Sequence, residues 1–313
     1  MTEKRILITG AAGYVGSLLG ARLAADYPVT GTDIRQRDDL GFPVTVMDIR
    51  DPALRDLMVK ERITHVVHLA SVLESTGDRA LDYDIDVNGT RNVIDCCVRA
   101  GVRHLTVTSS GAAYGYHADN PAWIDEQDAL RGNADMPYAD HKRKIEAMLA
   151  TVRQQHPALR QLIFRPGTIL GAETRNLITN LFTGKRLLAI RGSDSPFVFI
   201  WDEDVIAAME YGIREDAAGI FNMAGDGALT IHEIAALLGK PVRTLPAGLI
   251  KAALRMARLL RVGRYGPEQV NFLRYRPVLA NRRLKEEFGY QPRKTSEETF
   301  RYYLEHARAR GDL

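Results

Sequence analysis

The chain has 313 residues, 45% of them hydrophobic and 26% charged, with a net charge of +3. That is long enough to bury a large core in one or two domains, and too weakly basic to imply a nucleic-acid partner. Its two cysteines are adjacent, Cys96 and Cys97, which rules out a disulfide framework and makes a metal site improbable. No apolar run reaches membrane-spanning length, and MTEKRILITG leads straight into a strand with no signal-peptide core, so a reducing cytoplasmic location is expected.

Along the first half, apolar strands alternate with amphipathic helices. RILIT (5–9), YPVTGTD (27–33), VTVMD (44–48), HVVHLA (65–70), HLTVTSS (104–110) and RQLIFRP (160–166) read as strands. GAAGYVGSLLGARLAA, DPALRDLMVKE, a long stretch through DVNGTRNVIDCCVRA, and YADHKRKIEAMLATV read as helices. This alternation predicts an α/β fold, a Rossmann doubly wound parallel sheet covered on both faces. After Pro166 the pattern is irregular: FVFIW (197–201) and GIFNMAG (219–225) look like strands, while DEDVIAAMEYGIR, TIHEIAALLG and SEETFRYYLEHAR look helical. The expected division is a dinucleotide-binding domain over 1–165, with 197–225 returning to it. A smaller C-terminal substrate-binding domain would be built from 166–196 and 226–313.

Between the first strand and helix, Gly10, Gly13 and Gly16 form a G-x-x-G-x-x-G loop. Glycine permits a tight turn and close approach to a pyrophosphate, and the helix N-terminus offers free amides. Asp33 closes the next strand, where a carboxylate accepts from the adenosine ribose hydroxyls and repels a 2′-phosphate. NAD is therefore expected rather than NADP, against the pull of Arg35 and Arg37 just beyond.

Two Tyr-x-x-x-Lys pairs occur. YQPRK (290–294) contains Pro292 and is not a regular helical turn. YADHK (138–142) enters a run of good helix formers, so Tyr138 and Lys142 share one helical face. Ser109 and Ser110 end a strand and project toward the nucleotide crevice of such a sheet. Serine, tyrosine and lysine suit hydride transfer at a carbon bearing oxygen. A free phenol titrates near 10, so a base at neutral pH needs a neighbouring cation that favours the phenolate.

TGAAGYVG, DIRD (48–51), HLAS (68–71), DVNGT (86–90), SSGAAYG and YADHK occur in order and with matching gaps. In them the chain resembles the extended short-chain dehydrogenase/reductase family, in its NAD-dependent epimerase/dehydratase branch, and is UDP-glucose 4-epimerase-like before Tyr138. RPGTILG, FIWDEDV, FNMAGDG and NRRLKEEFGYQP extend the likeness over most of the chain. The resemblance implies that Tyr138 is the acid/base, that Lys142 binds the nicotinamide ribose and tunes it, and that Ser110 is the catalytic hydroxyl. It further implies that Gly10, Gly13, Tyr14, Val15 and Gly16 hold the pyrophosphate and Asp33 the adenosine ribose. Asp48 and Ile49 would contact adenine, Leu69, Ala70 and Ser71 would line the dinucleotide path, and Asn88 occupies the family's helix asparagine. Pairing into a homodimer through the two long helices of the sheet domain is also implied.

The family pattern breaks in two places. Phe197 stands where sugar-nucleotide enzymes carry a diphosphate-gripping arginine, and Thr168 where the 4-epimerases carry an asparagine. Arg175, Arg191 and Arg276 are candidates to compensate, and phenylalanine itself cannot. The three aromatics of SPFVFIW read first as core. Residues 248–264, GLIKAALRMARLLRVGR, form a basic amphipathic helix, read either as a surface helix or as a weak membrane-surface contact. His65, His68 and His104 show no metal-ligand spacing, and no metal is expected.

Three readings follow. The first is an NAD-dependent dehydrogenase/reductase acting at a secondary hydroxyl or ketone carbon. The second is a nucleotide-sugar epimerase or dehydratase that reduces NAD transiently. The third is an NAD-sensing regulator without catalysis.

Overall fold

The computed structural model describes residues 3–260 and 266–313. In chain order the elements are β1 (Ile6–Thr9), α1 (Tyr14–Leu23), β2 (Val29–Asp33), β3 (Val44–Val46), α2 (Leu54–Lys60), β4 (His65–His68), α3 (Arg79–Tyr83), α4 (Gly89–Ala100), β5 (His104–Thr108), α5 (Pro137–Gln155) and β6 (Arg160–Pro166). Then follow β7 (Thr168–Leu170), β8 (Leu187–Ile190), β9 (Phe199–Trp201), α6 (Asp202–Arg214), β10 (Gly219–Met223), α7 (Ile231–Leu238), β11 (Val242–Leu245), α8 (Ala247–Leu259), α9 (Gln269–Arg274), α10 (Arg282–Glu286) and α11 (Ser296–Ala309).

Two compact units divide these elements: Met1–Ser110 with His141–Arg165 and Val205–Phe221, and Gly111–Asp140 with Pro166–Asp204 and Asn222–Leu313. This corrects the sequence-based boundaries. Residues 111–140, expected in the first domain, go with the second unit. β9, expected to return to the central sheet, instead pairs with β7 in a separate two-stranded sheet.

The seven-stranded sheet has the order β10-β6-β5-β4-β1-β2-β3, with parallel registers from β3 through to β6. The order reverses beside β1, where a Rossmann sheet opens its ligand crevice at the carboxyl ends of β1 and β4. Strand burial is continuous, as both-sided coverage requires. On one face Leu7, Val66, Leu105 and Ile163 pack with Leu54 and Met58 of α2, Val93 and Ile94 of α4, and Ile145 and Leu149 of α5. Cys96 and Cys97 lie in that core, and burial raises both thiols.

The long helix expected through DVNGT is not one regular helix. A π-helical turn at Asp84–Asn88 separates α3 from α4. Such a turn inserts one extra residue and re-aims the side chains around it. In the second unit an aromatic core joins Phe182, Phe197, Phe199, Phe300 and Tyr303, so two of the three aromatics of SPFVFIW pack inward, while Trp201 is half-buried beside Tyr302.

Candidate active site

Gly10 turns out of β1 at φ +72°, a left-handed conformation that disfavours a side chain. A Cβ there would come within 2.7 Å of the Ala70 amide nitrogen, and one on Gly16 would strike the Gly10 carbonyl. Gly13 is the N-cap of α1, and no side chain caps the amides of that first turn. Close backbone packing and uncapped helix amides make a cradle that fits a pyrophosphate. Tyr14 is exposed and Val15 half-buried at its entrance.

Asp33 is buried, with Oδ2 accepting from the Ala12 amide at 3.0 Å and Oδ1 accepting from Nε of Arg35 at 3.2 Å. Arg37 is paired with Asp39. Both arginines that competed with the NAD expectation are therefore engaged by carboxylates rather than offered to a 2′-phosphate.

Asp48 receives two side-chain bonds from Arg50, whose NH1 also donates to Asp84 at 2.9 Å; this hydrogen bonding holds the Asp48 carboxyl below the usual range. The Ile49 side chain is buried in the core under Gly89. Leu69 extends the β4 ladder through Thr9, and Ala70 closes on Gly10. Asn88, at the end of the π turn, donates to Asp84 at 2.8 Å.

Ser71 donates to Asp86 Oδ1 at 3.0 Å, which also accepts from the Val72 amide. The other oxygen of Asp86 lies 2.9 Å from Nδ1 of His141. Asp86 thereby ties the chain leaving β4 to α5, one residue before Lys142. Burial acts to raise this carboxyl, but the His141 bond, Lys142 and the other donors together hold it low. Sequence reading missed the pair. An aspartate in DVNGT and a histidine beside Lys142 were visible, but nothing local says that they meet.

The two serines after β5 separate clearly. Ser109 is buried and donates to Glu146 Oε1 at 2.5 Å, so its hydroxyl serves the core. Ser110 is half-buried. Lys142 is only 6% exposed, and its ammonium donates to the Thr108 carbonyl at 3.0 Å. A single helix, α5, carries Tyr138 one turn before Lys142.

Tyr138 packs on an apolar cluster of Ala112, Tyr116, Met136, Ala139, Phe272 and Tyr275. Tyr116 meets Phe272 edge-on at 5.3 Å. The guanidinium of Arg276 lies 3.6 Å from the centre of the Phe197 ring and 5.4 Å from that of Phe272. Its NH1 donates to the Ser195 carbonyl at 2.7 Å, while its Nε is buried with no hydrogen-bond partner among the described residues. No carboxylate pairs with it among those residues. Burial pushes its pKa down to about 9, so it stays charged at neutral pH. Of the other two candidates for the missing arginine, Arg175 is exposed on Asp312 and Arg191 is exposed.

The histidines serve structure. His68 bridges Thr9 and Thr90. His65 stacks on His104 with ring centres 5.2 Å apart, and they contact Asp216 and the Ala217 carbonyl.

Among relatives, an uncharacterized protein of Mycobacterium tuberculosis is 25% identical over 96% of this chain and 83% of its own length. A protein of Escherichia coli O157:H7, N-acetyl-alpha-D-glucosaminyl-diphospho-ditrans,octacis-undecaprenol 4-epimerase, is 26% identical over 74% of this chain and 70% of its own. In fold the chain is similar to the UDP-glucose 4-epimerase of Thermus thermophilus in complex with NAD, with a TM-score of 0.75 at 23% identity over 97% of this chain and 99% of that one. The profile of the NAD dependent epimerase/dehydratase family matches residues 6–224. The chain is an enzyme of the NAD dependent epimerase/dehydratase family, and its cofactor is NAD.

Proposed function

We propose that this enzyme transfers hydride at a secondary hydroxyl or ketone carbon of a sugar carried on a diphosphate, as an epimerase or dehydratase. The observation that carries this reading is Arg276. Arg276 is half-buried, and a guanidinium partly withdrawn from water without a carboxylate leaves donors that an anion can complete. It shares Phe272 with the apolar cluster on which Tyr138 packs. Phe197, in the place of the family's arginine, supplies the ring beneath it. The E. coli relative is named for a sugar on a lipid diphosphate and the Thermus relative for a UDP-sugar, so a diphosphate is common to both.

In this reading the Gly10–Gly16 loop and the first turn of α1 hold the pyrophosphate, and Asp33 takes the adenosine ribose. Asp48, Ile49, Leu69, Ala70, Ser71 and Asn88 line the dinucleotide path. Bound NAD supplies the hydride acceptor and donor. Tyr138 takes the hydroxyl proton as the carbon is oxidised and returns it when the ketone is reduced. Lys142, anchored on the Thr108 carbonyl, favours the phenolate and binds the nicotinamide ribose. Ser110, at the position of the family's catalytic hydroxyl, orients the substrate oxygen, and its neighbour Ser109 donates to Glu146 instead.

Tyr138→Phe tests the assignment. On a panel of UDP-sugars and polyprenyl-diphosphate sugars, kcat should fall by about 10²–10⁴-fold while NAD still raises the Tm. A variant that kept full activity would overturn the acid/base role, whereas one that kept full biological function without turnover would revive the sensor reading. The second unit would bind substrate. We further infer a homodimer formed over α4 and α5, where Ile94, Val98 and Val152 line a shallow groove, and a cytoplasmic location. A monomer at all concentrations in size-exclusion chromatography would refute the dimer.

A further inference from the structure

Helix α8, Ala247–Leu259, buries none of its residues. Its inner edge, Ile250, Leu254 and Ala257, is half-buried. Facing away are Leu249 at 57% exposure, Met256 at 57%, Leu259 at 77% and, just past the helix, Leu260 at 64%. With exposed Ala252 and Ala253 they recur at i, i+3, i+4, i+7, i+10 and i+11, so they form one continuous stripe. A surface helix of a globular protein needs one apolar stripe, toward its own core. This helix carries a second, toward solvent, in a patch larger than scattered surface leucines explain.

Charge says what covers the second stripe. Lys251, Arg255 and Arg258 flank it, and residues 247–260 contain no acidic residue. Among the described residues Arg258 pairs only with Glu268, at 3.8 Å and on a largely exposed guanidinium, which is a weak pairing. Arg261 and Arg264, which continue the pattern in sequence, lie outside the described residues. A second copy of the chain docked symmetrically on this stripe would bring arginine against arginine, with no acid on either helix to relieve them. An anionic bilayer satisfies both features, taking the leucines at the acyl boundary and the cations at the headgroups.

We propose that α8 is a monotopic membrane-surface anchor that docks this enzyme on anionic lipid. The proposal rests on the exposed stripe and its charge, not on the identity of the sugar substrate. It is tested on the full NAD-loaded chain by co-sedimentation with phosphatidylcholine vesicles, with and without phosphatidylglycerol. Binding should require phosphatidylglycerol and fall as salt rises. Arg255→Gln with Arg258→Gln should weaken it roughly 30-fold. Leu249→Ser, Met256→Ser and Leu259→Ser together should abolish it, at unchanged Tm because these side chains are already exposed. Equal binding to pure phosphatidylcholine, or vesicle binding that the triple variant leaves intact, overturns the proposal. So does a protein that ignores vesicles and self-associates through a contact the triple variant breaks, since a second copy would then be the occupant.

Discussion

Each of the two compact units holds a guanidinium drawn out of bulk solvent, Arg165 buried and Arg276 half-buried, and the two are held in opposite ways. In the first unit, Arg165 grips Glu146 through Nε at 2.9 Å and NH2 at 2.6 Å, and Ser109 donates to the same carboxylate. The charge is matched, and every oxygen of its partner is used. In the second unit, Arg276 rests on Phe197 and Phe272 with one backbone carbonyl for company. Arg165 is a finished structural element between α5 and β6. Arg276 is an unfinished one, and a half-buried charge without a matching carboxylate is where a ligand's charge belongs. A third cation, Lys142, lies between these cases: it is anchored on Thr108, yet one turn from the proposed acid/base.

This contrast can be broken most forcefully at Arg165. Arg165→Met leaves Glu146 buried and unpaired, which should cost about 3–5 kcal/mol. The expected fall in Tm is roughly 10 °C. Arg276→Met gives up only the ring contacts and the bond to the Ser195 carbonyl, and it orphans no carboxylate, so its Tm should stay within a few degrees of the parent. Its effect should appear instead on a diphosphate substrate: a KM higher by about 100-fold, from charged hydrogen bonds lost at roughly 1.5–3 kcal/mol each, with Tyr138 chemistry intact. If Arg276→Met destabilised the protein as Arg165→Met does and left KM alone, the guanidinium would be structural and the substrate reading would fail.

The same two regions differ in how much of them could be read from sequence. The first unit is written locally. Gly10, Gly13 and Gly16 stand within seven residues because one turn needs all three, and Asp33 follows because the next strand ends there. Strand and helix periods gave the sheet, and α5 placed Tyr138 before Lys142. What failed there was non-local: the two serines of TSSG look alike until Glu146, on another element, claims Ser109. The second unit is mostly non-local. Residues 111–140 belong to it although they sit in sequence between β5 and α5. Arg276 could be offered as one of three candidates, but its seat over Phe197 depends on a contact across most of that unit. The exposed stripe of α8 was half legible: spacing showed a basic amphipathic helix, while only burial showed that it has apolar residues on both sides.

The matched region should also fail in its own way, by refusing new charge rather than by missing a partner. His104 is buried; its Nε2 donates to the Ala217 carbonyl, and its Nδ1 has no partner among the described residues. Burial pushes its pKa down to about 4. His65, stacked on it, is also lowered by burial, which outweighs Asp216. A histidine held neutral in the fold binds fewer protons than it does in the unfolded chain, where it titrates near 6.5. Stability is therefore complete above pH 6.5 and is lost as pH falls toward 4. At pH 5 the contribution of His104 alone should be a loss of about 2 kcal/mol relative to pH 7. His104→Gln keeps a donor for Ala217 and cannot titrate, so its stability should fall less over that interval by about the same amount. Urea unfolding at pH 7 and pH 5, followed for both proteins, measures this difference. Parallel losses would mean that the proton is taken up elsewhere, and that this buried stack tolerates charge much as the second unit tolerates Arg276.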